Sequence, residues 1–225
     1  MPDVVLRARQ LGKRFRSGHD AVQVIDDLTF SLNAEESLAV IGRSGSGKST
    51  LLNLLCGLER ADSGVISVAD QHFDAQPAAE DADAAGRWAA LRKQRIGVVF
   101  QEANLMPAMT LLENVRLRAS LAGQPAGEEM HWLEQPGVGA EAQRFPDQVS
   151  GGQRQRAALA MVFAMHPSII LADEPTGSLD RQTADDVTDR LFEVQRDTGC
   201  ALLLATHDQA LAGRCDRCLD LGEGG

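Results

Sequence analysis

The chain has no tyrosine and only two tryptophans, so seven phenylalanines carry most of its aromatic surface. Stacking on a planar ligand therefore falls to a ring without a phenolic hydroxyl. Long apolar runs are also missing: the longest, Ala157 to Met165, has nine residues between Arg156 and His166, against the roughly 20 that a membrane-crossing helix needs. Positive charge is scarce, with 22 Lys and Arg against 32 Asp and Glu and a net charge of −10. That excludes the broad basic footprint of a nucleic-acid binder and leaves room only for a local basic groove. The four cysteines, Cys56, Cys200, Cys215 and Cys218, are too few for a dense disulfide framework. Arg7 and Arg9 stand where an export signal needs apolar residues, so a reducing, cytosolic setting is expected. Cys215-Asp216-Arg217-Cys218 has C-x-x-C spacing but no second pair to complete a zinc site.

What is present is ordinary globular composition, 44% hydrophobic and 24% charged over 225 residues, enough for one domain with a subdomain. The strongest local signal is Gly42-Arg43-Ser44-Gly45-Ser46-Gly47-Lys48-Ser49-Thr50, which fits the G-x-x-x-x-G-K-[ST] phosphate loop. The apolar run Ser37 to Ile41 before it reads as a strand, and Leu51 to Cys56 after it as the start of a helix. In that setting the glycines let consecutive backbone N–H groups turn towards an anion, and the helix adds its unpaired N–H groups and positive dipole end. Lys48 would bridge outer phosphates and Ser49 would offer its hydroxyl to Mg²⁺.

Around this loop the chain alternates strand-like and helical stretches. Residues 4 to 10 and 22 to 32 read as strands, with a loop between them that holds Phe15, either a base-stacking platform or ordinary core. Val65 to Val68 reads as a further short strand, and residues 74 to 86, acidic and alanine-rich, as a solvated loop or helix surface. Ile96 to Phe100 reads as a buried strand that delivers Gln101 to its C-terminal edge, where open α/β sheets place ligands. Residues 102 to 148 read as a helical insert. Its apolar residues Leu105, Met106, Met109, Leu111 and Leu112 either pack its own core or offer a groove to a partner helix.

Ser150-Gly151-Gly152-Gln153 opens a helix over Arg154 to Met165. Ser150 and Gln153 form an S-x-x-Q capping box, and the two glycines leave bare N–H groups for a second anion, about a hundred residues from the first. One subunit cannot easily hold one phosphate chain with two such loops, which points to a neighbour's nucleotide. Ser168 to Ala172 reads as a central parallel strand carrying Asp173 and Glu174 to its end, one placed to hold Mg²⁺ and the other to polarise a water. Asp180 reads as the cap of a helix over residues 181 to 196. Cys200 to Ala205 reads as a buried strand ending near His207, a donor for a terminal phosphate oxygen, and Arg217 to Leu221 as an edge strand.

Taken in this order, Gly42 to Thr50, Gln101, Ser150 to Gln153, Ile169 to Glu174, Ser178 to Asp180 and His207 strongly resemble the ATP-binding subunit of ABC transporters over essentially the whole chain. The stretches Leu171 to Asp180 and Leu112 to Val115 look most like the LolD and MacB group; Asp180 to Thr183 and Arg214 to Cys218 are similar to its YbbA-like members. The resemblance implies a P-loop, RecA-like α/β core over 1–101 and 149–225 with a helical subdomain at 102–148. It further implies two copies sandwiching two ATP molecules with Mg²⁺, where Ser150, Gly151, Gly152 and Gln153 of one copy face Lys48 and Ser49 of the other. By the same resemblance Glu174 is the catalytic carboxylate, His207 a γ-phosphate contact, Gln101 a link between Mg²⁺ and a membrane partner, Asp180 an inter-subunit contact and Phe15 the adenine platform. An integral membrane permease on the cytoplasmic face of the inner membrane is the implied partner, and no nucleic acid is expected. Val149, Phe15, Met161 and Ser178 depart from the usual Leu, Tyr, Arg and Asn at their positions. A soluble ABC-type ATPase without a transport role is the alternative; an unrelated phosphate-loop kinase or GTPase finds no support in Ser150 to Gln153 or His207.

Overall fold

Apolar alternation and apolar continuity divide this chain into two kinds of sheet. The computed structural model describes residues 3–17, 20–75 and 83–222. In chain order its elements are β1 (Val4–Ser17), β2 (Asp20–Asn33), β3 (Ser37–Ile41), α1 (Lys48–Leu55), β4 (Ser63–Val68), β5 (Gln71–Asp74), α2 (Ala84–Gln94) and β6 (Ile96–Val99). There follow α3 (Leu111–Ala122), α4 (Glu129–Glu134), α5 (Gly151–Phe163), β7 (Ile169–Asp173), α6 (Arg181–Thr198), β8 (Ala201–Thr206), α7 (Gln209–Ala212) and β9 (Arg217–Asp220). The chain forms two compact units, 1–92 with 201–225, and 93–200.

In the first unit an antiparallel sheet runs in the order β2-β1-β4-β5. Leu6, Ala8, Leu11, Phe30, Leu32, Ile66 and Val68 are buried, while Arg9 between them is exposed, the one-sided burial that alternation dictates. Among the described residues the loop expected between the first two strands is instead strand, with Phe15 paired to Val22. Register shifts near residues 8 to 14 and left-handed backbone at Gln10 (φ 50°) and Asp27 (φ 43°) absorb residues that break the alternation, the work of β-bulges. β5 and α2 follow, and Phe73 on β5 stacks on Trp88 of α2 with ring centroids 3.8 Å apart. The expected acidic surface falls partly on residues 76 to 82, outside the described residues.

The same unit holds a parallel trio with β3 between β8 and β9. Leu38, Ala39 and Val40 are fully buried, as are Ala201 to Ala205, so these strands are apolar throughout rather than alternating. At the start of the trio Asp216 Oδ2 accepts from the Ser37 amide (2.8 Å) and hydroxyl (2.7 Å). α1 packs on β8, and α7 on β3 and β8.

In the second unit β6 and β7 pair in parallel from Ile96–Ile169 to Val99–Ala172, and α5 packs against α3, α4 and α6. The stretch expected to be helical from 102 to 148 holds α3, α4 and two 3-10 turns. Thr110 and Glu113 cap α3 reciprocally. Buried Asn114 ties down the preceding loop by donating to the carbonyls of Met106 (3.2 Å), Met109 (3.1 Å) and Thr110 (2.9 Å). The expected helix after Ser150 begins at Gly151, and the one after Asp180 runs to Thr198.

Candidate functional site

Parallel strands all end at one edge, and in the first unit that edge gathers one group of the candidate residues. Ile41 pairs with Thr206 on one side and with Asp220 on the other, so the chain leaving β3, β8 and β9 emerges together. Ile41 to Ser46, His207, Gln209, Asp220 and Gly222 line one cavity of about 840 Å³, within the size range of ligand sites. Sequence reasoning placed the loop and His207 here but missed Gln209 and Asp220, whose residue types carry no motif. Asp208 fixes the turn after His207 by accepting from the amides of Ala210 (2.8 Å) and Leu211 (3.3 Å).

The loop passes into α1 at Gly47, whose φ of 97° only glycine adopts without strain. A Cβ there would also stand 2.7 Å from Val24 Cγ1 of β2. No side chain caps α1, so its first-turn N–H groups are left to a ligand. Lys48 is 7% exposed, and its ammonium donates to the carbonyls of Gly42 (2.9 Å) and Arg43 (3.2 Å). Ser49 and Thr50 follow in the first turn, Ser49 exposed. Ser46 Oγ is buried with no hydrogen-bond partner, an unmet polar group that a phosphate oxygen suits. Phe15 is 40% exposed, which removes its reading as ordinary core.

The second unit assembles the remaining residues on its own framework. β7 delivers Asp173, one of whose carboxylate oxygens, Oδ1, is buried without a donor; an unpaired hard oxygen of this kind fits a divalent cation. Glu174 follows with φ 46°, a left-handed conformation that costs a non-glycine residue about 1–3 kcal/mol and persists where the surroundings impose it. The turn it opens closes with the Gly177 amide donating to the Glu174 carbonyl at 3.0 Å. Gln101 meets that turn: Ser178 Oγ donates to its carbonyl at 3.5 Å, and Gln101 Nε2 lies 3.0 Å from where a Gly177 Cβ would be. Buried Gln155 of α5 donates to the Phe100 carbonyl at 2.8 Å, holding the residue before Gln101 in place.

Ser150 is the expected cap of α5, accepting from the Gln153 amide at 3.2 Å while Gln153 Oε1 accepts from the Ser150 amide at 2.9 Å. Gln153 also donates to Glu141 at 3.0 Å. Asp180 caps α6 through Thr183, accepting from its amide (3.1 Å) and hydroxyl (2.6 Å). The hydroxyl contact first, and the amide second, hold the Asp180 carboxyl below the usual carboxylate range. A Cβ on Gly152 would run into the Thr183 methyl, so the glycine start of α5 and the Asp180 cap meet through one side chain. Among the described residues no three His, Cys, Asp or Glu side chains gather into a metal cluster, and Cys215 and Cys218 are free thiols.

The ABC transporter family matches this chain over residues 25–177. The ABC transporter ATP-binding protein YbbA of Escherichia coli K12 is 40% identical over 224 residues, covering 98% of this chain and 95% of its own. The lipoprotein-releasing system ATP-binding protein LolD of Idiomarina loihiensis is 39% identical over 221 residues, 96% of this chain and 94% of its own. Among solved structures, the dimeric post-hydrolysis state of the ATP-binding cassette MJ0796 with ADP and Pi superposes with a TM-score of 0.83 at 29% identity, over 97% of this chain and 95% of that one. Another dimeric structure of MJ0796, a bacterial ABC transporter cassette, gives 0.84 at 31% identity with the same coverage. No helix among the described residues is long and apolar enough to cross a membrane.

Proposed function

The chain belongs to the ABC transporter family and is an ATPase of its cassette type, and from that premise we propose that it powers a separate membrane permease by hydrolysing ATP as a homodimer. The observation that carries this reading is the phosphate loop and His207 lining one cavity, with uncapped α1 following the loop and buried Lys48 donating back to the Gly42 carbonyl. Loop amides and Lys48 bind the phosphates of ATP, Phe15 takes the adenine, and His207 donates to the γ-phosphate. Ser49, Asp173 and Gln101 would hold Mg²⁺, which would supply positive charge to neutralise the phosphates. Glu174 orients and polarises the attacking water.

Ser150, Gly151, Gly152 and Gln153 bind the γ-phosphate held by the second copy, and Asp180 contacts that copy. Each nucleotide is then closed off only when two chains meet, so ATP drives dimerisation and hydrolysis releases it. Residues 1–101 and 149–225 serve as the ATP-binding core and 102–148 as the helical subdomain. The permease docks beside Gln101 and that subdomain, placing the chain on the cytoplasmic face of the inner membrane. The likeness to LolD favours a cargo of lipoproteins, peptides or other hydrophobic molecules, exported or extracted from that membrane. In the test, Glu174→Gln is expected to bind ATP, turn it over at a small fraction of the wild-type rate and elute as a dimer with ATP in size-exclusion chromatography. A variant that stays monomeric with ATP, even beside its permease, sinks the shared-site mechanism.

A further inference from the structure

The nucleobase end of the site contains a cation that no phosphate chemistry uses. Lys13 on β1 is 7% exposed, and its ammonium lies 5.0 Å from the centroid of the Phe15 ring. That ammonium is fixed from behind, donating to Glu59 Oε1 and the Arg60 carbonyl at 2.7 Å each, with Asp62 Oδ1 at 3.8 Å. The Phe15 ring over it remains 40% exposed. Its place relative to the phosphate loop follows from register. Val24 of β2 abuts Gly47, and Phe15 pairs with Val22, two residues further along the same strand, about 7 Å at strand spacing.

We propose that Lys13 is a positioning and specificity-determining residue for the nucleobase, acting through Phe15. This rests on the reading of Phe15 as the base platform. A tyrosine at such a position could be oriented by a hydrogen bond to its hydroxyl; a phenyl ring offers only its faces and edge. A fixed ammonium on one face holds the ring by cation–π attraction. It also draws π density towards itself, so the ring becomes an electron-poor partner for an electron-rich purine. The competing account is a structural tie between β1 and the turn at 59–62, where Asp62 Oδ2 also accepts from the Arg14 amide at 2.7 Å and the Asp62 amide donates to the Gly12 carbonyl at 2.9 Å.

The two accounts separate when affinity for ATP is divided by affinity for inorganic tripolyphosphate, which has the phosphates and no base. The ratio is measured by calorimetry on the full chain. Lys13→Met is expected to lower it about threefold, the scale of a partly exposed cation–π contact. Lys13→Gln, which keeps a donor for Glu59 and the Arg60 carbonyl but no charge, carries the same expectation if the methionine variant fails to fold. Glu59→Gln loosens the tie and keeps the cation, and is expected to leave the ratio in place. Phe15→Ala is expected to lower it further than either Lys13 variant, and adding Lys13→Met to Phe15→Ala to lower it no more. An unchanged ratio in both Lys13 variants, with a lowered one in Phe15→Ala, overturns the role given to Lys13 alone. Equal losses in Glu59→Gln and Lys13→Met do the same in favour of the structural tie. An unchanged ratio in Phe15→Ala overturns the platform reading itself.

Discussion

Glu174 is held in a left-handed conformation, φ 46°, in the turn that β7 opens, and this sets stability against chemistry at one residue. Backbone strain of this kind persists where the surroundings impose it, and it clusters at functional sites. Glu174→Gly removes the Cβ that the conformation disfavours while adding the unfolded-state freedom of glycine. The variant is therefore expected to be at least as stable as the wild type, by about 0–1 kcal/mol in urea unfolding, with ATP hydrolysis lost. A glycine variant less stable than the wild type by about 1 kcal/mol or more, the typical cost of a destabilising substitution, contradicts the strain argument. The residue was legible from sequence because an acidic pair behind an apolar strand is a recognisable pattern; its backbone conformation was not, because no residue type announces it. Phe15 shows the reverse: the sequence left it between core and platform, and its 40% exposure removes the core reading.

Among elements, the parallel strands were readable because burial on both faces makes them apolar without interruption, as in β3 and β8. The hairpin of β1 and β2 was not, since Gly12 and Gly18 with the bulged residues look like a loop when cross-strand pairing is unseen. α2 was unread beyond residue 86, since of its eleven residues only Leu91 is buried and no apolar stripe marks it. β9, the edge strand beside β3, is pinned at its start by Asp216. Its carboxyl is held below the usual carboxylate range, first by the Ser37 hydroxyl and then by the Ser37 amide. A depressed folded value means that this stabilisation is present above the unfolded pKa near 3.9 and is lost as pH falls through the folded one. Asp216→Ala is therefore expected to cost about 1 kcal/mol at pH 7, less than hydrogen bonds to charged groups usually contribute because the carboxylate faces solvent. The gap to wild type should close below about pH 4. A gap independent of pH in urea melts assigns the loss to something other than the carboxylate.

For the whole molecule, nucleotide affinity is a stability term. Ligand at 100 times its dissociation constant stabilises the folded chain by about 2.7 kcal/mol, which for a chain of this size raises the melting temperature by roughly 5–10 °C. Mg-ATP is expected to produce such a shift in the wild type and almost none in Lys48→Ala, whose buried ammonium is gone. Equal shifts in both count against the role of Lys48. The same scale explains why the site was legible in pieces: each motif lies on one strand end or helix start, while Gln209 and Asp220 join the cavity only because β8 and β9 flank β3.

That flanking strand has a practical consequence. Cys56 and Cys200 are buried, and burial first, then Asp216, pushes the half-buried Cys215 thiol up to about 12, so Cys218 is the one exposed thiol of the four. It precedes Asp220 on the cavity wall by two residues of β9. Burial first, then Asp220, also pushes the Cys218 thiol up, so a maleimide fluorophore would be attached there at alkaline pH; with nucleotide in the neighbouring cavity, as proposed, the labelled native chain would become its own optical gauge of loading and release.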